Sequence, residues 1–255
     1  MIDSLKALGR DSSKYEKLHA DMKKAYQQEF IKDGHMIGPK TLIFSQNERN
    51  ANTQTGIVLT LQFNLCEEKD RESLLNDLVE NIKECETRLT TGFLGTPYLL
   101  HVLSNNGRSD VAYDLLFQTR YPSWLYSVKK GATTFWEHYN GIKEDNTLFD
   151  PGMNSYNHYA YGCVFNWMFQ NISGIQIVKS GYEEVLIKPL PDKRVGYVNC
   201  EFMTKYGKIV SNWKYLDEKK VEFDIEIPKD IKAKIVFPDG KIISSDRGSK
   251  INYVC

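Results

Sequence analysis

The hydrophobic period changes once along this chain, and that change limits what it can fold into. Before Gly181 the apolar residues recur mostly at helical spacing, and after it they alternate in the manner of strands. A chain divided this way builds helices first and a sheet second. The expected architecture is α + β and multidomain, with a helical domain over 1–180 and a small antiparallel β-sandwich over 181–255. At 255 residues the chain is long enough to bury a sizeable core.

The helical part reads as a series of pairs. Residues 2–9 end a helix at Gly9. Ser13-x-x-Glu16 offers a capping box for a helix carrying Tyr15, Leu18, Met22, Ala25, Tyr26 and Phe30. A loop with Gly34, Gly38 and Pro39 follows. Residues 57–65 are apolar nearly all round and fit a buried strand by period alone. The helical patterns on either side favour a buried helix. Asp70 to Cys85 is amphipathic, with Leu74, Leu75, Leu78 and Ile82 facing inward. After Thr90-Thr91-Gly92, Pro97 to Leu103 is again mostly apolar, and Arg108 to Gln118 is amphipathic. Alternating buried and half-exposed helices suit an inner and an outer ring. Asn154 to Ile172 reads as one more helix, with Asn154, His158 and Tyr161 on one face.

Beyond Gly181, residues 185–189, 202–205, 208–215, 221–227 and 232–237 read as strands. Tyr206-Gly207, Asp217-Glu218, Pro228-Lys229 and Asp239-Gly240 turns separate them. Their surface is rich in Lys and Glu and shows no site-like cluster. It reads as an accessory domain covering the helical one, with carbohydrate binding as the alternative role.

Charge excludes some functions. Lysine plus arginine equals aspartate plus glutamate at 33 each, and no basic stripe suggests nucleic acid and no acidic tract a solvating tail. No apolar run reaches the length of a membrane span. The five cysteines are scattered without metal-ligand spacing, so no metal or cofactor is expected. Dispersed thiols and a start without a signal-peptide pattern lean toward a reducing, cytoplasmic setting. Asn171-Ile172-Ser173 fits a glycosylation acceptor, a triplet too common to carry weight.

Chemistry concentrates between Tyr121 and Gly162. This stretch holds two of the four tryptophans, two of the five histidines and six tyrosines. Rings stack on the C–H faces of a sugar, while a few polar groups direct its hydroxyls. Within it, Gly131-Ala-Thr-Thr-Phe-Trp-Glu-His-Tyr139 sets the carboxylate of Glu137 among rings. The residues alone leave two readings of Glu137 open. It is a solvated surface charge, or it is a desolvated carboxyl whose raised pKa suits proton transfer.

Four motifs in order add a resemblance. They are Thr91-Gly-Phe-Leu-Gly-Thr-Pro-Tyr-Leu-Leu100, Gln118-Thr-x-Tyr-Pro-Ser-Trp124, Ala132-Thr-Thr-x-Trp-Glu137 and Met153-Asn-Ser-x-Asn-His-Tyr-Ala160. Together the chain resembles the bacterial α-L-rhamnosidases of glycoside hydrolase family 78. Lys205-Tyr206-Gly207-x-Ile209-x-Ser211-x-Trp213 extends the likeness into the β domain. The resemblance implies an (α/α)6 barrel followed by a β-sandwich, and hydrolysis of terminal α-L-rhamnosides with inversion. Inversion uses an acid for the leaving oxygen and a base for water, roughly 6.5–9.5 Å apart. By the match Glu137 is the base and His158 a sugar-hydroxyl ligand. Trp136, Trp124 and Asn157 shape the subsite.

In that family the acid lies upstream of everything seen here. The resemblance therefore implies an incomplete (α/α)6 barrel, about seven of twelve helices, with weak or absent activity alone. Rhamnose-containing glycosides or oligosaccharides are the expected substrates, and the missing N-terminal part of the same enzyme the expected partner. A non-catalytic sugar-binding remnant and another (α/α)6 glycosidase remain as alternatives.

Overall fold

A computed structural model of the chain describes residues 1–38 and 52–255. They form two compact units, Met1–Tyr161 and Gly162–Cys255. The first unit holds α1 (Ile2–Ala7), α2 (Ser13–Phe30), α3 (Gln54–Gln62), α4 (Arg71–Glu84), α5 (Gly92–Asn105), α6 (Ser109–Phe117) and α7 (Trp124–Lys129).

The ambiguous apolar run is helical. Thr53 opens α3, its hydroxyl accepting from the Gly56 N–H at 3.0 Å. Ile57, Val58 and Leu61 of α3 are buried, as are Leu99, Leu100, Val102 and Leu103 of α5. Each such side chain contributes about 1.5–3 kcal/mol through burial. The amphipathic α4 buries Leu74, Leu75, Leu78 and Ile82. α3 packs on α4 and α5, and α5 packs on α6. Buried helices are thus paired with half-exposed ones, the hairpin pattern the sequence implies.

Three local expectations change. Ser12, not Ser13, holds the N-cap position of α2, but its hydroxyl donates to the Glu16 carboxylate at 2.9 Å and caps no backbone N–H, so the expected capping box does not form. The Gly34 loop is a hairpin of Ile31–Lys32 (β1) with His35–Met36 (β2). Its turn residues Asp33 and Gly34 have φ of 52° and 82°, as a tight two-residue turn demands. Pro39, placed in that loop by sequence, lies outside the described residues. Helix α5 starts at Gly92, five residues ahead of Pro97. Pro97 leaves the Phe93 carbonyl without its helical donor.

The larger correction concerns 154–172. Residues 154–159 are not helical. A 3-10 turn (Ala160–Cys163), a short α8 (Val164–Trp167) and a π turn (Met168–Ile172) follow. Asn154, His158 and Tyr161 therefore do not share a helical face. The reason is backbone pairing at long range: the Glu137 N–H donates to the Ser155 carbonyl, and the His158 N–H to the Phe135 carbonyl, each at 2.8 Å. Those bonds take the groups a helix would use.

The second unit is two sheets. One has the order β10-β9-β4-β3, from Ile242–Ser245, Lys232–Val236, Glu184–Ile187 and Ile175–Lys179. The other has the order β11-β8-β7-β5, from Ser249–Val254, Val221–Ile227, Gly207–Tyr215 and Tyr197–Val198, with β6 (Glu201–Thr204) also on β7. Pairing is antiparallel except between β4 and β9, which run parallel. Strand β3 precedes Gly181, where the sequence period changes visibly. Only Ile175 is fully buried in it, so its alternation is faint. Along β8, Val221, Phe223, Ile225 and Ile227 are buried, and Phe223 meets Phe237 edge-on at 5.3 Å.

The entry into this unit is pinned by buried polar bonds. Trp213 Nε1 donates to the Ile172 carbonyl at 2.8 Å, and the Ser211 hydroxyl to the Ser173 carbonyl at 2.6 Å. Asn171 of the acceptor-like triplet is buried, its amide donating to the Trp167 carbonyl at 3.3 Å. Gly174 follows at φ 78°, and a Cβ there would lie 2.2 Å from the Pro189 nitrogen.

Backbone crowding of that kind cannot be relieved by a side-chain rotation. Gly174→Ala is expected to destabilise the chain by about 2–3 kcal/mol or more. Gly131→Ala, at φ 86° in open space, should cost only about 1 kcal/mol. Denaturant unfolding of the two variants checks the difference.

Candidate active site

Between α7 and the Ala160 turn the chain runs as a long loop held by its own polar bonds. The Ser127 hydroxyl donates to the Tyr139 carbonyl at 2.8 Å. Tyr126 donates to the Ile142 carbonyl at 3.0 Å and Tyr156 to the Gly141 carbonyl at 2.8 Å. Trp136 is buried, edge-on to Tyr156 at 5.3 Å. Gly141 is required beneath them, since a Cβ would come within 3.0 Å of both rings. The Thr134 hydroxyl donates to the Tyr156 carbonyl.

This frame sets the position of Glu137, which is half-buried. Its Oε2 accepts from the Ser155 N–H at 2.9 Å, while its own N–H donates to the Ser155 carbonyl at 2.8 Å. The reciprocal pair fixes both ends of the residue, and a backbone N–H on a carboxylate is a charge-assisted bond. A positioned carboxylate with a defined orientation can take a proton from water.

A series of rings runs from the interior to the surface beside it. Trp124 is 6% exposed, donates Nε1–H to the Tyr161 carbonyl at 2.9 Å, and meets Tyr139 edge-on at 6.1 Å. Tyr139 stacks on Tyr161 at 4.0 Å, and Tyr161 tilts against Phe93 at 5.2 Å. Phe93 stacks on His158 at 4.9 Å and 12°. Tyr159 stacks on the same imidazole at 5.4 Å and is 89% exposed. The His158 Nδ1 accepts from the Ala160 N–H at 3.3 Å. The neutral ring then carries its hydrogen on Nε2, a donor available to a ligand.

Paired backbone thus brings Glu137 and His158 together. Trp136 and Trp124 are both buried and present no open ring face, so any shaping of a subsite by them is from behind. Asn157 is exposed, its N–H donating to the Ser155 hydroxyl at 3.2 Å. Ser155, Phe93 and Gly141 join the site without having been given a role in the sequence, and Tyr161, expected only on a helical face with His158, joins it through its ring. Phe93 and Ser155 had a signal, their places in the Thr-Gly-Phe-Leu-Gly-Thr-Pro and Met-Asn-Ser-x-Asn-His-Tyr-Ala motifs. Asp145 and Asp150 cap their own turns, accepting from Thr147 and from Gly152 and Met153. The Thr147 hydroxyl and N–H hold the Asp145 carboxyl below its ordinary range.

Phe93 is placed from below by a buried amide. Gln54 is fully buried, donating to the Arg88 carbonyl at 3.0 Å and accepting from the Thr90 N–H at 2.9 Å. Thr55 donates to the Thr91 carbonyl at 2.8 Å, and Gly95 lets α5 close on Thr91. Along α5, burial holds the His101 imidazole below its ordinary range. Among the described residues no His, Cys, Asp and Glu cluster could hold a metal ion, and no helix is long and apolar enough to cross a membrane. All five cysteines are free thiols, and burial pushes Cys163 up to about 11.

Comparison with known proteins bears on the whole chain. The profile of the bacterial alpha-L-rhamnosidase 6 hairpin glycosidase domain matches residues 3–172. That of the bacterial alpha-L-rhamnosidase C-terminal domain matches residues 174–251. An alpha-L-rhamnosidase of Formosa agariphila is 35% identical over 228 residues, 89% of this chain and 23% of that protein. One of Streptomyces avermitilis is 40% identical over 207 residues, 81% of this chain and 19% of that protein. The chain therefore spans about a fifth to a quarter of the length of these relatives. Among solved structures, the Streptomyces avermitilis alpha-L-rhamnosidase complexed with L-rhamnose superposes with a TM-score of 0.89 at 32% identity, covering 100% of this chain and 25% of that one. The Aspergillus terreus enzyme gives 0.87 at 31%, covering 97% and 28%.

Two outcomes follow from the buried polar groups. Gln54→Leu leaves the Arg88 carbonyl and the Thr90 N–H without their partner, so it should cost about 1–3 kcal/mol per orphaned group by denaturant unfolding. For His101 the folded pKa lies below the unfolded one, so the unfolded chain binds more protons between the two. Stability should fall as pH drops below the ordinary histidine value, about 6.5, and level off beneath the folded value. His101→Gln should remove that part of the pH dependence, read as the difference between the two unfolding profiles.

Proposed function

We propose, for a chain that belongs to the bacterial α-L-rhamnosidases with a six-hairpin glycosidase domain, that it supplies the water-activating side of an inverting rhamnosidase site. Glu137 is the general base. His158 binds a sugar hydroxyl through Nε2, Asn157 lines the rim, and Trp136 and Trp124 hold the subsite in shape. The observation that carries this reading is the reciprocal bonding of Glu137 to Ser155, on backbone that also pairs His158 with Phe135. It leaves the second carboxylate oxygen to accept from water while the group cannot rotate away.

In inversion that water attacks the anomeric carbon from the face opposite the leaving oxygen. As the C–O bond to the aglycone breaks, Glu137 takes the water proton and the new hydroxyl stays on the sugar. The leaving oxygen needs its own proton donor, which we place outside these 255 residues. Two facts support that placement. The chain spans about a fifth to a quarter of its curated relatives. The loop carboxylates Asp145 and Asp150 are committed to their turns. An acid contributes typically 10²–10⁴-fold, so natural rhamnosides should turn over weakly or not at all.

A leaving group that needs no proton separates base from acid. This chain should hydrolyse a dinitrophenyl α-L-rhamnoside slowly and leave methyl α-L-rhamnoside untouched. Glu137→Gln should abolish the slow reaction while L-rhamnose binding persists. Turnover of the methyl glycoside would place an acid within the chain. Dinitrophenyl hydrolysis unaffected by Glu137→Gln would remove the base assignment.

A further inference from the structure

The five-stranded sheet of the second unit has two unlike faces. Ile209, Trp213, Phe223 and Ile225 point inward and are buried. On the outward face the register aligns side chains in rows. Asn212 of β7, Asp224 of β8 and Asn252 of β11 are direct cross-strand neighbours. Beside them run Tyr197 of β5, Lys214 of β7 and Glu222 of β8. These residues line an open groove of about 760 Å³. Adjacent strands lie about 5 Å apart, so Asn212 and Asn252 are separated by roughly 10 Å. A pyranose laid across the row, over Asp224, spans that distance with its hydroxyls.

An unsatisfied atom marks the centre of the row. The Asp224 Oδ1 is buried and has no hydrogen-bond partner in the structure. Buried acceptors in folded proteins are nearly always paired, so this one lacks a donor that a ligand could supply once the side chain turns toward the groove. Asn212 cannot be turned to hide its amide. Its Oδ1 already accepts from the Cys200 N–H at 2.9 Å, which leaves the NH₂ free of that bond. Tyr197, 65% exposed, adds a ring at the edge.

Charge narrows the ligand. Lys214 is paired with Glu222 at 2.8 Å, and Lys250 with Glu226. Within the lining, Lys214 and Lys250 balance Glu222 and Asp224, so the groove has no net charge to select an ion. Directional amides, one carboxylate acceptor and an open ring suit a neutral polyhydroxylated molecule. We propose that this face is a second carbohydrate-binding site, for a neutral glycan, separate from the Glu137 site and independent of the reading given for it.

The test is titration of the whole chain with methyl α-L-rhamnopyranoside and with neutral tetrasaccharides of glucose, galactose and xylose, followed by NMR. At least one probe should shift the side-chain amide signals of Asn212 and Asn252. Tyr197→Ala and Asp224→Ala should each weaken that binding about tenfold or more. Tyr197 is exposed, so its variant keeps the fold and decides the matter even if Asp224→Ala does not. The proposal is overturned if no probe shifts those amides in the folded chain. It is overturned equally if Tyr197→Ala binds as tightly as the parent.

Discussion

The site depends on one stretch of backbone pairing. Residues 135–137 and 155–158 bind each other through Glu137 to Ser155 and Phe135 to His158, at 2.8 Å in each case. Without it the side chains of Glu137 and His158 would sit on unconnected loop segments. With it, a carboxylate and an imidazole are set on adjacent backbone, each oriented by a further bond: Glu137 by the Ser155 N–H and His158 by the Ala160 N–H. Preorganisation of this kind is what catalytic groups require, because orientation achieved in folding need not be achieved again in the reaction.

The rest of the first unit supports that pairing from beneath. Trp136, Tyr156 and Gly141 form a close contact that leaves no room for a side chain at 141. Gln54 fixes the turn before α5, and so fixes Phe93, whose ring stacks on His158. The chain of rings from Trp124 to Tyr159 passes from buried to exposed without a gap. Its inner members are packing and its outer members are surface, so one aromatic cluster joins the core to the face that carries His158.

Much of this was legible in the sequence, for physical reasons. Helices α4 and α6 announced themselves because burial follows a 3.6-residue period, and the nearly all-apolar α3 and α5 were read from the helical patterns around them and the Thr, Gly and Asn that punctuate them. Strands β4 and β6 to β9 were visible by their alternation, clearest in β8 with one face buried, whereas β5, β10 and β11 were not read as strands because none of them buries a whole face. Glu137 and His158 stood out by their motifs. The helix expected over 154–172 failed at its start because the backbone partners of Ser155 and His158 lie about twenty residues upstream, at Glu137 and Phe135. Ser155 was missed because its contribution is an N–H, which nearly every residue type possesses. The outer groove of the sheet could not be read either. It exists only once register sets Asn212, Asp224 and Asn252 side by side.

Amide hydrogen exchange at Ser155 and His158 tests the central pairing most directly. The account predicts that both amides exchange far more slowly than an unstructured chain, and that Glu137→Ala speeds Ser155 while leaving His158 protected. Exchange of both at the unstructured rate in the folded protein would contradict it, and would detach Glu137 from the site built around it.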